Sequence, residues 1–424
     1  MSKRFQQSDD VLRVPGDKSI THRALMLASL APGRSVVRGA LTSLDARSTA
    51  RVLRGLGTRI SSLRAGTLIT VDGRQRFRTA NRILDCGNSG TTARLMLGLL
   101  AAHHFRSTLT GDASLRGRPM RRITEPLIAM GAHVHGAGER LPVTIEGGDL
   151  VASRWTLPVA SAQIKSALLL AAAVAHVPLE LEEPAPSRDH TERMLRRFGY
   201  VIGHHAGRLQ FEPTGRLQPT AFEVPGDPSS AAFLLAGGLL AGLPMLSVGG
   251  VGCNPGRIGF LEVLRRMGAR VTIDDSRDIG GEPVGTMTVG ASPLAGTTVP
   301  AAEVPALIDE IPVLACLAAR AEGITRFEGV AELRVKESDR LTLLAENLTA
   351  IGGNAHVEGD DLVIRGSTRP LAGRVVTAHD HRIAMAFQML GLSRGCSIQV
   401  DDPAAAAVSF PGFADQLEIL RRRQ

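Results

Sequence analysis

Short apolar stretches alternate along the chain with polar, glycine-bearing turns, and one arrangement of the two returns six times. "VPGDKSITHRALMLASLAPG" starts at Val14 with an extended apolar end, a Pro-Gly turn and a polar cluster, then runs into Ala and Leu and stops at Pro-Gly. Pro fixes φ and Gly tolerates a positive one, so the run between these marks predicts a helix. The same order recurs in "LDCGNSGTTARLMLGLLAA" from Leu84, "LPVASAQIKSALLLAAA" from Leu157 and "VPGDPSSAAFLLAGGLLAG" from Val224. It recurs again in "VPALIDEIPVLACLAARAEG" from Val304 and "TAHDHRIAMAFQMLGLSRG" from Thr377. A spacing of about 65 to 80 residues is too long for a solenoid repeat and suits an α/β unit repeated six times.

Between the helices lie alternating or apolar runs bounded by Gly, among them "GTLITVDG", "LPVTIEGG", "RVTIDD", "TMTVG" and "DLVIRG", which read as strands. A second helix ends five times in a shared phrase: "LRGLGTRI", "LIAMGAHV", "LRRFGYVI", "LRRMGARV" and "LTAIGGNAHV". There a Gly stops the helix ahead of the next strand. Six such units suggest two domains of three.

Composition narrows the class. At 424 residues, 44% hydrophobic and 21% charged, the chain is long enough for two or three globular domains. Aromatics make up 3%, with one Trp and one Tyr, which argues against base-stacking platforms for single-stranded nucleic acid. The net charge of +8 favours anionic partners, but the basic residues are dispersed and only "RRRQ" at the end is dense. Cys86, Cys253, Cys316 and Cys396 stand far apart, at neither metal-ligand nor redox-motif spacing, so reduced thiols in a cytoplasmic protein are expected. "MSKRFQQSDDVLRV" lacks the apolar centre of a signal peptide, and no apolar run is long enough to span a bilayer.

Each repeated turn opens a helix, where unpaired N–H groups and the helix dipole attract phosphate and carboxylate. Taken singly, each reads as an ordinary N-cap. The side chains tip the balance. Lys18, Ser19 and Arg23 put a cation, a hydroxyl and a guanidinium on one face of the first helix start. "GDKS" lacks the spaced glycines of a nucleotide-binding P-loop. Asn88, Ser89, Gly90, Thr91 and Arg94 form the second turn, Ser161 and Gln163 the third, Asp309 and Glu310 the fifth, and Asp380, His381 and Arg382 the sixth. "VKESDRL", residues 335–341, is either a solvated helix start or the wall of an anion site that moves a proton.

In these phrases the chain resembles the enolpyruvyl transferases, and among them the branch that acts on 3-phosphoshikimate. The resemblance runs from about Val14 to Phe413 through "PGDKSITHRALMLA", "GNSGTTARL", "GDASLRGRPM", "SAQIKSALLLA", "SRDHTERML", "PGDPSSAAFLLA", "LIDEIP", "VKESDRL" and "DHRIAMAF", in the family's order. It implies a two-domain, inverted α/β barrel-like fold of six βαβαββ-type units. Residues 1–16 and 227–424 would form one domain and 17–226 the other, with the active site in the cleft between them. The implied reaction moves the enolpyruvyl group of phosphoenolpyruvate to the 5-hydroxyl of 3-phosphoshikimate and releases phosphate through a tetrahedral intermediate. Neither a metal nor a cofactor is called for, and the enzyme is expected to be a monomer with no nucleic-acid or membrane partner.

Carried across residue by residue, the resemblance makes Lys18 a cation bridging both substrates and a participant in proton transfer. Ser19, Arg23, Ser161, Ala162, Gln163 and Arg188 would hold 3-phosphoshikimate, with Asp309 and Lys336 near the reacting hydroxyl. Asn88, Gly90, Arg118, Gln163, Arg340 and Arg382 would hold phosphoenolpyruvate. Asp309 resembles the base that takes the hydroxyl proton and Glu337 the residue nearest the methylene carbon; which group protonates that carbon stays open. Within "VKESDRL", Ser338 and Asp339 then read as capping residues. His22 and His190 read as structural, while His381 is open to either role.

Three positions depart from the common pattern. Ser409 in "AVSFPGF" stands where many members carry a Lys, Ala162 where many carry a second Ser, and Leu95 where a subgroup sensitive to glyphosate carries a Pro. Two rivals are weaker. The sister enzymes that load the same group onto a UDP-linked amino sugar commonly carry a reactive Cys in the loop matching "GDASLRGRP", and this chain has no Cys between Cys86 and Cys253. A basic nucleic-acid scaffold would have no use for the paired acids Asp309 and Glu337.

Overall fold

The computed structural model describes residues 11–136 and 138–424. Most of the N-terminal stretch read above as lacking a signal peptide, residues 1–10, lies outside them. The chain divides into two compact units. The first contains the residues up to Pro15 with Pro225–Ile279 and Pro283–Gln424; the second contains Gly16–Val224 with Gly280–Glu282. Each has its own apolar core, built almost wholly from aliphatic side chains as the scarcity of aromatics requires. No helix among the described residues is long and apolar enough to cross a membrane.

One repeat explains the others. Strand Leu84–Asp85 leads through helix Gly90–Ala101 to strand Arg106–Thr110, then through helix Arg121–Ala129 to strands His133–His135 and Val143–Glu146. The first two strands pair in parallel because a helix connects them. The last two form a hairpin that adds antiparallel to Arg106–Thr110, so chain order 1-2-3-4 becomes sheet order 1-2-4-3. Val143–Glu146 alternates buried and half-buried residues, as a strand with one face on the core should.

The same spatial arrangement is seen in four further sheets, in one of which the edge strand of the parallel pair comes last in the chain. In two of them this edge strand comes from far away in sequence: Ala221–Glu223 lies parallel to Gly33–Arg38, and Val11–Leu12 lies parallel to Leu246–Gly252. The sixth repeat has strands Ala372–Val375 and Ser397–Val400 in parallel, with no hairpin after them among the described residues. These small sheets give an α/β architecture in which none closes into a barrel among the described residues.

The five glycine phrases all end helices in one way. Gly57, Gly131, Gly199, Gly268 and Gly352 have φ between 80° and 112°. After each, the next N–H reaches back five residues, as Thr58 N does to Leu53 O and Ala132 N to Leu127 O. This left-handed stop satisfies carbonyls the helix would leave bare, and a Cβ there would be strained. Helices Gly90–Ala101 and Ala162–Ala175 approach so closely that a Cβ on Gly98 would fall 2.1 Å from Ala167 O. Both are buried around most of their circumference.

Candidate active site

Helix starts carry most of the candidate residues, and five of the six repeated starts are capped by their own side chain. Asp17 accepts from Ile20 N at 2.8 Å, Ser89 from Thr92 N at 3.1 Å and Ser161 from Ile164 N at 3.5 Å. Asp227 accepts from Ser229 N and Asp380 from Arg382 N, at 2.7 and 2.8 Å. At Asp17, Asp227 and Asp380 a carboxylate therefore already occupies the place a bound anion would take. Ser161 differs, because a hydroxyl that accepts at the cap still has its own proton to donate.

In the second unit, four groups assemble. Arg23 Nε donates to Thr191 Oγ1 at 2.7 Å and its Nη2 to Ser166 Oγ at 2.6 Å, so the first repeat's guanidinium is held by the third repeat. Lys18 Nζ lies 3.3 Å from Asp45 Oδ2. Arg118, buried, donates through Nη2 to Asn88 Oδ1 at 2.7 Å and to Ser114 Oγ at 3.2 Å, while Asn88 Nδ2 donates to Asp112 at 2.7 Å. Gln163 accepts from Arg94 Nη1 and donates to Thr91 Oγ1 at 3.0 Å. Gly90 is the first residue of its helix, and a Cβ there would meet Arg118 Nη1 at 3.3 Å and Arg94 Nη1 at 3.5 Å. Ala162 opens the helix capped by Ser161, and Ser19 O accepts from Arg23 Nη1 at 3.0 Å. Arg188 sits half-buried in the loop that precedes helix His190–Arg197.

His22 is wholly buried, its Nδ1 2.6 Å from Thr49 Oγ1, which is itself 2.6 Å from Thr92 Oγ1. Burial first, and then the nearby charges of Lys18 and Arg23, push its pKa down to about 3. It is a neutral structural group, as the sequence suggested.

In the first unit the acids and cations interlock. Arg340 Nε donates to Asp380 Oδ2 at 2.8 Å and its Nη2 to Glu337 Oε2 at 2.6 Å. Its Nη1 lies 3.6 Å from Asp309 Oδ1 and makes no hydrogen bond. Burial opposes a charge on Arg340, but the carboxylates of Asp380, Glu337 and Asp309 overcome it and raise its pKa. Burial would likewise raise the Asp380 pKa, and the Arg340 guanidinium holds it below the usual range instead. Arg382 Nη1 donates to Asp309 O at 2.8 Å and approaches Glu310 Oε1 at 3.8 Å; its Nη2 lies 3.9 Å from Asp309 Oδ2. Lys336 is half-buried between a 3-10 turn at Ala331–Val335 and Ser338.

"VKESDRL" thus divides. Asp339 caps the following helix by accepting from Thr342 N at 3.1 Å, but Ser338 donates to Asp380 Oδ2 at 2.9 Å and is no cap. Ser409 follows the 3-10 helix Pro403–Val408, its N–H bonded to Ala406 O. No group of three or more potential metal-ligating side chains occurs among the described residues. The sequence reading missed Asp45 beside Lys18, which no spacing signals, and Lys165. The latter had a signal: it is a lone charge in the apolar run "IKSALLLAAA".

Comparison with known proteins shows the family of the chain. The sequence model of the family described as EPSP synthase (3-phosphoshikimate 1-carboxyvinyltransferase) matches residues 3–417. A 3-phosphoshikimate 1-carboxyvinyltransferase of Alkalilimnicola ehrlichii is 47% identical over 408 residues, covering 95% of this chain and 91% of the relative. One from Thermus thermophilus is 48% identical over 411 residues, covering 96% and 95%. An EPSP synthase structure from Acinetobacter baumannii superposes with a TM-score of 0.84 at 40% identity, covering 96% of this chain and 95% of that one. The enolpyruvyl transferase NikO of Streptomyces tendae, at 18% identity and a TM-score of 0.76, shares the fold.

Proposed function

The chain belongs to the EPSP synthase family, and we propose that its two residue clusters, one in each unit, together carry out that family's reaction. It is a 3-phosphoshikimate 1-carboxyvinyltransferase: it transfers the enolpyruvyl group of phosphoenolpyruvate to the 5-hydroxyl of 3-phosphoshikimate and releases phosphate, in the shikimate pathway to aromatic amino acids. The observation that carries the assignment of roles is the contact of Asp309 with both Arg340 and Arg382.

Asp309 takes the proton of the 5-hydroxyl as that oxygen attacks. Its two carboxylate oxygens lie 3.6 Å from Arg340 Nη1 and 3.9 Å from Arg382 Nη2, which sets this acid beside the groups assigned to phosphoenolpyruvate. Arg340, Arg382 and Arg118 receive the phosphate and carboxylate of phosphoenolpyruvate, for which the Nη1 arm of Arg340 has hydrogen-bonding capacity to spare. Asn88 and Gly90 line that ligand, and Gln163 touches both substrates. Arg23, Ser19, Ser161, Ala162 and Arg188 hold 3-phosphoshikimate, with Lys336 at its reacting hydroxyl. Lys18 bridges the two substrates, and it or Glu337 delivers the proton to the methylene carbon. We further take the enzyme to act as a monomer in the cytoplasm.

Phosphate release with both substrates present tests the reading. It should require phosphoenolpyruvate and 3-phosphoshikimate together, and release supported by a UDP-linked amino sugar instead would overturn it. Asp309→Asn keeps size and polarity but removes the base, so turnover should fall about 10²- to 10⁴-fold. A variant within a few-fold of the parent excludes Asp309 from that role.

A further inference from the structure

Ten successive residues of helix Ala162–Ala175, Ile164 to Ala173, are buried, and Lys165 is the charged one among them. Its ammonium donates to Glu183 Oε2 at 2.8 Å and to the Ser187 carbonyl at 3.1 Å, and lies 2.8 Å from Glu192 Oε1. Burial opposes the charge, but Glu192 and Glu183 outweigh it and raise the pKa, so the lysine stays protonated. An apolar side chain could fill this position without the desolvation penalty of three buried charges. What the cation achieves is a grip on one residue. Ser187 gives its carbonyl to Lys165, and its hydroxyl donates to Glu183, the same carboxylate that Lys165 holds.

Ser187 immediately precedes Arg188 in the loop "EPAPSRD", where Pro184 and Pro186 already restrict the backbone. The next residue of the helix reinforces the hold. Ser166 Oγ accepts from Thr191 Oγ1 at 2.7 Å, just as Lys165 contacts Glu192 at the neighbouring position of helix His190–Arg197. The loop is therefore clamped on both sides of Arg188: at Ser187 before it and at Thr191 and Glu192 after it.

We propose that Lys165 is a positioning residue for 3-phosphoshikimate: by fixing Ser187 and Glu192 it sets where Arg188 presents its guanidinium to that substrate. The inference rests on the assignment of Arg188 made above. A guanidinium fork recognises phosphate or carboxylate through direction as well as charge, so a loop that drifts weakens binding while leaving the reacting groups intact.

Steady-state kinetics with the two substrates varied separately test this. Lys165→Met should raise the KM for 3-phosphoshikimate about tenfold, with kcat and the KM for phosphoenolpyruvate changed by less than about threefold. The buried carboxylates left behind can destabilise that variant, so Lys165→Met/Glu183→Gln/Glu192→Gln serves as its partner; it should recover thermal stability yet keep the raised KM. On an Arg188→Ala background, adding Lys165→Met should alter that KM by less than about twofold, because the two act in series. A parental KM in the neutral triple variant overturns the inference, as does an undiminished tenfold effect without Arg188. Arg188→Ala with a parental KM overturns it through its premise, and marks the residue assignment, not Lys165, as the fault.

Discussion

Arg340 and Lys165 are the two largest fully buried side chains among the described residues, one in each unit, and both are cations set among carboxylates. Their surroundings differ in one respect that matters. The Lys165 ammonium donates to Glu183 and the Ser187 carbonyl and lies 2.8 Å from Glu192 Oε1, so two carboxylates enclose it. Arg340 spends Nε and Nη2 on Asp380 and Glu337, but Nη1 makes no hydrogen bond. The carboxylates diverge in the same direction. Glu183 and Glu192 are 9% and 1% exposed, whereas Asp309 and Glu337 are 16% and 21% exposed. A cation walled in by buried carboxylates holds structure and little else. One whose Nη1 makes no hydrogen bond, beside accessible acids, can donate to a ligand oxygen.

The largest expected effects separate these roles. Arg340→Lys keeps the charge but loses the fork, and with it the spare arm. Its kcat/KM should drop about 10²- to 10³-fold, the usual loss for one aligned donor to transition-state charge, while thermal stability changes far less. Lys165→Met should do the reverse. Breaking a buried pair destabilises by about 3–5 kcal/mol, visible as a lower urea midpoint, while kcat survives. An Arg340→Lys enzyme within tenfold of the parent would erase the distinction, since both cations would then be structural.

These two residues also mark how far the sequence could be read. Arg340 stood out because "VKESDRL" compresses its partner Glu337 and its helix cap Asp339 into one phrase. Lys165 was visible as a lone charge, but Glu183 and Glu192 follow 18 and 27 residues later, across a strand and a loop, so no spacing joins them. The helices and their glycine stops were legible since each is local chemistry. Strands Val11–Leu12 and Ala221–Glu223 were not, being too short for any period and paired with distant partners. Asp380 was legible as a turn residue; that it would face Arg340 and Ser338, 40 and 42 residues away, was not.

Acid should set the two units apart as well. His22, in the second unit, has a folded pKa of about 3 against 6.5 for the free side chain. Between those values the unfolded chain binds the extra proton, so stability is complete above pH 6.5 and declines as pH falls, by about 1.4 kcal/mol per unit. Asp380, in the first unit, has a depressed carboxyl pKa, so its contribution is complete above the ordinary carboxylate range and fades only as pH drops through the lower folded value. The single Trp, Trp155, and the single Tyr, Tyr200, both lie in the second unit and give it a private fluorescence signal. On acidification that signal should change at higher pH than the far-UV circular dichroism of the whole chain. His22→Gln should shift it to lower pH. If the variant loses fluorescence at the parental pH, the buried imidazole is not what weakens this unit.

The smallest expected effect asks whether the second unit's network is as unyielding as its hydrogen bonds imply. A methyl added at Gly90 would press on Arg118 and Arg94, whose guanidinium groups are 3.3 and 3.5 Å from the ideal Cβ. Neither is slack. Arg118 is tied to Asn88 and Ser114, and Arg94 to Gln163 and the Pro119 carbonyl. With its neighbours held, the methyl should take its room from the ligand. Glyphosate, a phosphonate that targets this family, is longer than phosphoenolpyruvate and should lose more. The parent, which keeps Gly90, should be inhibited competitively with phosphoenolpyruvate even with Leu95 and Ser409 in place of the more usual Pro and Lys. Gly90→Ala should weaken the inhibitor by about 1–3 kcal/mol, the range for overpacking a close-packed site, and the substrate by less. Paired inhibition curves at several phosphoenolpyruvate concentrations measure both numbers. Equal inhibition constants in the two proteins would mean that Arg118 and Arg94 give way, and that hydrogen-bonded partners do not stiffen this unit as they do around Lys165.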